Sequence, residues 1–144
     1  MNAIVYILYN ANASVLGKVQ YAYRKLTAPA TDSPCAACDL THGGLRFTET
    51  PRWSSTKARI GAAVQQLHKD EADRTILDFV RDQQATYPLV LARETPQDGL
   101  KVLMTTGELA ACSKDHELFL QSLAKNAAAA GIHINIKSAG GSSL

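Results

Sequence analysis

Residues 3–9, Ala-Ile-Val-Tyr-Ile-Leu-Tyr, constrain the fold of this chain more than any other stretch. The run is apolar, β-branched and aromatic without alternation, and it stops abruptly at Asn10. It is too short for a buried helix and apolar on both sides of an extended strand. Such a strand belongs at the centre of a sheet that is covered on both faces. The rest of the chain must supply those covering layers.

The remaining periodicities supply helices and further strands. Asn10, Asn12 and Ser14 offer N-caps, and Val15, Leu16, Val19, Tyr23 and Leu26 follow at helical spacing, which predicts a helix over 14–26. Pro29 and Pro34 end it. Residues 27–44, rich in Thr, Pro, Ala, Asp and Gly, read as a long loop of the kind that often carries function. Leu45 to Glu49 alternates like a short edge strand, and Thr50-Pro51 is a turn or helix entry. Ile60, Ala63, Val64 and Leu67 fit one face of a second helix. After a polar break at 70–73, Ile76, Leu77, Phe79 and Val80 stripe a third, which Thr86-Tyr87-Pro88 stops.

Leu89 to Ala92 reads as a strand, Thr95 to Gly99 as a turn, and Leu100 to Thr105 as the antiparallel partner. Ser113 is the expected cap of a long helix with Leu120, Leu123, Ala127 and Ala130 inward and Gly131 at its end. Ile132, Ile134 and Ile136 alternate as a half-buried strand. The expectation is a single α/β domain over 1–137, one central mixed sheet flanked by helices, with a flexible tail at 138–144.

Composition excludes some partners. A formal net charge of +2 in 144 residues argues for neither nucleic acid nor membrane lipid. The excess of base over acid in residues 1–60 is enough to favour a thiolate or a small anion. No stretch approaches the roughly 18 apolar residues of a membrane span. The first residues do not read as a signal peptide, and three cysteines, an odd number, favour a reducing compartment, so the expected location is cytoplasmic.

The chemistry centres on Cys35-Ala36-Ala37-Cys38. As a redox pair, one thiolate attacks a disulfide and the second thiol resolves the mixed disulfide. The partner would then be a protein or small-molecule thiol or disulfide, and the protein a thiol–disulfide oxidoreductase. Arg46, Arg24 or Lys25 would lower a thiol pKa, while Asp39 would oppose it. As metal ligands, Cys35, Cys38 and His42 give three donors in eight residues, and Cys112 or His68 would complete a zinc site. Copper(I) suits two or three thiolates as well. A third possibility is an interaction module that presents the loop to a protein without turnover.

Other residues have plainer readings. Cys112 reads first as a small core hydrophobe and second as a third thiol near a helix start, where the dipole favours thiolate. His68 reads as a solvated or helix-capping imidazole, with a ligand or proton-shuttle role as the alternative. Asp70, Glu71 and Asp73 read as charges at the start of the third helix, and Trp53 as a packing anchor. No phosphate-binding glycine loop, nucleophile elbow or His-Glu-x-x-His pattern occurs.

Two resemblances follow from these motifs. Tyr9-Asn10-Ala11, the C-x-x-C followed by Thr41-His42-Gly43, and His68-Lys69-Asp70-Glu71 resemble a little-characterised family of small microbial proteins, for which no established reaction is implied. The element order resembles the thioredoxin-like fold, which implies a cis-proline at Tyr87-Pro88 and gives Pro88 a place beside Cys35 and Cys38 in catalysis. The chain departs from thioredoxin-like oxidoreductases at one point. Their cysteine pair follows the first strand directly, whereas here Asn10 to Ser14 fills that junction.

Overall fold

A computed structural model describes residues 3–10, Ala37, Leu40, 50–68 and 70–137. The expected helix at 14–26, the edge strand at 45–49 and the tail at 138–144 lie outside the described residues, as do Cys35, Cys38 and His42.

The apolar run forms strand β1, Ile4–Leu8. It sits inside a four-stranded sheet ordered β3-β1-β4-β5, with β3 at Ala63–Leu67, β4 at Leu89–Arg93 and β5 at Lys101–Met104. β3 runs parallel to β1, with Ile4 opposite Ala63 and Leu8 opposite Leu67. β4 is antiparallel to β1, and β5 is antiparallel to β4 with a register shift between Val90 and Leu91. The fold is therefore α/β, with one mixed sheet flanked by helices.

Alternation along β1 and β4 explains why both are apolar throughout. Ala3, Val5, Ile7, Tyr9, Val90 and Ala92 face one core, completed by Trp53, Phe119, Leu120 and Leu123. Tyr6, Leu8, Leu89 and Leu91 face the other, closed by Ile76 and Val80. Helices α1 (Pro51–Ala58) and α4 (His116–Ala130) bring Trp53, Phe119, Leu120 and Leu123 to the first core, and α2 (Arg74–Asp82) brings Ile76 and Val80 to the second.

Local chemistry sets most helix ends. The Thr50 hydroxyl accepts from the Trp53 backbone N–H at 3.1 Å, and Pro51 occupies the first turn, where its missing N–H is no loss. Asp73 caps α2 through the Ile76 N–H at 3.0 Å. Gly131 ends α4 in the left-handed region at φ 77°, and the Ile132 N–H reaches back to the Ala127 carbonyl at 2.9 Å. The Tyr87–Pro88 bond before β4 is cis.

Three expectations need correction. Ile60, Ala63, Val64 and Leu67 do not share a helix face, because α1 stops at Ala58 and the chain turns extended. β2 (Ile60–Gly61) pairs with the short β6 (Asn135–Ile136), and β3 pairs with β1. Ala and Gln favour helix, but here the edge position beside β1 overrides them. Ser113 does not cap the long helix; Asp115 does, accepting from the Leu118 N–H at 3.0 Å. A further helix, α3 (Thr106–Cys112), precedes it, opened by a capping box of Thr105 and Glu108. The stretch expected as loop over 27–44 is helical and buried at Ala37 and Leu40. Among the described residues no helix is long and apolar enough to cross a membrane.

Candidate functional site at the carboxyl edge of the parallel strands

Parallel pairing brings the carboxyl ends of β1 and β3 together, the edge at which open α/β sheets tend to hold ligands. Leu8 lies opposite Leu67, and the Tyr9 N–H donates to the Leu67 carbonyl at 2.9 Å. β4 starts at this same edge, with Leu89 opposite Leu8, so Pro88 is placed there. The Pro88 carbonyl accepts from the Thr106 hydroxyl at 2.8 Å, which ties it to the first turn of α3. α4 begins here too, since its far end at the Ala130 carbonyl accepts from Lys101 at the opposite end of β5.

A polar chain runs along this edge. The Gln66 side-chain carbonyl accepts from Lys57 Nζ at 3.0 Å and from the Trp53 indole N–H at 3.3 Å. Two donors on one oxygen fix the amide orientation, so its nitrogen donates to the Tyr9 hydroxyl at 2.7 Å. Tyr9 is 1% exposed, and its hydroxyl oxygen accepts from Gln66. These bonds link the Lys57 ammonium to the buried Tyr9 phenol through one amide.

The Tyr9 ring packs 4.9 Å from the His68 ring. His68 does not cap a helix; it follows β3 directly. Its Nδ1 lies 2.6 Å from Glu71 Oε1, which also accepts the His68 backbone N–H at 2.8 Å. That backbone donor, then the ring, holds the Glu71 carboxyl below the ordinary range. The carboxylate orients the imidazole and leaves Nε2 as its remaining nitrogen, an arrangement suited to proton transfer or ligation.

On the neighbouring face, His116 Nδ1 lies 2.6 Å from the Thr56 hydroxyl, which also reaches the Arg52 carbonyl at 3.0 Å. The Trp53 ring stands edge-on to His116 at 6.0 Å and to Phe119 at 5.7 Å. The His116 ring has a further hydrogen bond to the backbone of Leu40. Burial, followed by the Arg52 charge, holds His116 below the usual imidazole range, against the opposing pull of Leu40 and Asp115. His116 therefore joins α1, α4 and Leu40, one of the two described residues of the cysteine stretch.

Cys112 is not near a helix start. It is the last residue of α3, 1% exposed, with its thiol directed at the Glu108 and Leu109 carbonyls at 3.4 and 3.7 Å. Burial, then the Asp115 and Glu108 charges, push its pKa up to about 11. This is the core hydrophobe of the first reading. Among the described residues no cluster of three or more His, Cys, Asp or Glu side chains is placed to hold a metal.

A cavity of about 380 Å³ opens at the opposite end of the sheet, lined by Glu94, Asp98, Lys101 and Ile132 among others. Its charged groups are already engaged: Glu94 with His133, Lys101 with Ala130, and Asp98 with Thr95. The Tyr9–Gln66 and Thr56–His116 contacts were not legible in the sequence, because the partners lie 57 and 60 residues apart in the chain. The polar Gln65-Gln66 pair within an otherwise apolar strand was the one local signal. Comparison with family models, with curated proteins and with solved structures finds no match to this chain.

Proposed function

We propose that this protein carries out thiol–disulfide exchange on a thioredoxin-like scaffold, with Cys35 attacking and Cys38 resolving. The sheet order carries the reading: a parallel pair β1 and β3, an antiparallel hairpin of β4 and β5 beside it, and a helix after the hairpin. That is the element order expected of a thioredoxin-like fold, and it puts Pro88 at the edge where the parallel strands end. Ala37 and Leu40, which stand within and just beyond the C-x-x-C, are buried in the same core as Tyr9 and Trp53. Their burial anchors these two positions beside the cysteines in that core.

In the first step the Cys35 thiolate attacks one sulfur of a substrate disulfide. A mixed disulfide forms, and the substrate's other sulfur leaves as a thiolate that takes a proton. The Cys38 thiolate then attacks Cys35, closing the Cys35–Cys38 disulfide and releasing the second substrate thiol. The substrate gains two electrons and the protein loses two. Partners are proteins or small molecules that carry a thiol or a disulfide.

The test is disulfide exchange with purified variants. Cys35→Ser should lose exchange, and Cys38→Ser should accumulate the mixed disulfide with a model disulfide and stall. A Cys38→Ser protein that turns over at the wild-type steady-state rate would overturn the reading. Metal analysis of protein purified without chelator distinguishes zinc or copper(I) held by Cys35, Cys38 and His42, because bound metal would occupy the thiolates.

A further inference from the structure

His68 leaves the carboxyl end of β3 with its ring held in place. Glu71 Oε1 accepts the His68 backbone N–H at 2.8 Å and lies 2.6 Å from Nδ1, and the Tyr9 ring packs at 4.9 Å, tilted by 51°. The backbone donor keeps Glu71 ionised well below neutral pH. A carboxylate only accepts, so Nδ1 carries the hydrogen between them, and the neutral ring has its lone pair on Nε2. Among the described residues nothing bonds to Nε2, and the side chain is 25% exposed. The other described imidazoles are placed differently. His116 is bonded to both Thr56 and the Leu40 backbone, and His133 sits on Glu94 at the opposite end of the sheet. Among the described residues, His68 is thus the imidazole with an open nitrogen at the edge where Pro88 stands.

We propose that His68 is a catalytic acid–base group for disulfide exchange at this edge, with Glu71 as its positioning residue, a role that rests on the thiol reading above. When Cys35 attacks, the substrate S–S bond breaks and the departing sulfur keeps the electron pair. The His68 imidazolium gives that sulfur its Nε2 proton and becomes neutral, retaining the Nδ1 hydrogen against Glu71. In the reverse direction Nε2 takes the proton from a substrate thiol as its sulfur attacks the Cys35–Cys38 disulfide. The substrates that need this help are aliphatic disulfides, whose basic thiolates leave slowly. Aromatic disulfides release a weakly basic thiolate unaided.

The contrast between those leaving groups is the test, read in a single turnover of the reduced protein at pH 7 by acid quench and mass spectrometry. With hydroxyethyl disulfide, His68→Gln should slow the reaction about 100-fold. With an aromatic nitrobenzoate disulfide the same variant should stay within about twofold of wild type. Glu71→Gln should show the same selectivity with a smaller loss. A fold defect would instead lower both rates together. Equal losses with the two disulfides, or an undiminished rate with the aliphatic one, would overturn the role of His68. Nitrogen NMR at pH 9, where an imidazole is neutral, should find the His68 hydrogen on Nδ1, and a hydrogen on Nε2 would overturn it as well. Wild-type protein inert toward both disulfides removes the thiol reading and this role with it. Wild-type activity with an unselective His68→Gln variant removes the role alone.

Discussion

At Cys112 a thiol is surrounded by apolar side chains, and its hydrogen meets helix carbonyls rather than water. With a pKa near 11, almost none of it is thiolate at pH 8. Residue-resolved mass spectrometry after iodoacetamide treatment at pH 8 should find Cys112 unmodified in the folded protein and alkylated in urea. Its preference for the core was legible from cysteine's own physical character. The Tyr9 phenol was not, since its polar partner Gln66 lies 57 residues away and meets it only through strand pairing.

Elements follow a similar divide. β1, β4 and β5 announce themselves because their apolar runs are short, dense and bounded by turns. β3 did not, because Ala63, Gln65 and Gln66 suit a helix equally well and only the neighbouring β1 decides the matter. α3 was missed because its seven residues leave little room for periodicity; its signature is the capping box. Replacing Thr105 by Ala removes the acceptor for the Glu108 N–H and should destabilise the protein by about 1 kcal/mol in urea unfolding. At the β2–β6 pair, a Cβ on Gly61 would stand 2.5 Å from the Asn135 carbonyl oxygen. Gly61→Ala should therefore part the two strands at a cost of about 1–3 kcal/mol, measurable in the same assay.

Across the whole molecule, the two cores share one sheet, so stability depends on groups distributed around its rim. Burial keeps the folded-state pKa of His116 below the unfolded value of 6.5, so its stabilising contribution is intact above that pH and declines as pH falls through 6.5 toward the depressed value. Glu71, Glu94, Glu108 and Glu117 are held below 4.5 by backbone or Arg59 donors, so their contributions persist above that pH and are lost under more acidic conditions. Urea midpoints should be level above pH 7 and fall in two stages, and His116→Gln should abolish only the first. A single decline confined to pH below 4.5 in the wild-type protein would contradict burial of a neutral imidazole at His116.

The short β6 is fastened to β2 and not to the four-stranded sheet, and Lys137 exchanges backbone and side-chain hydrogen bonds with Arg59 just after α1. Tension on the segment beyond Gly131 is therefore transmitted first to the helix bearing Trp53 and Thr56.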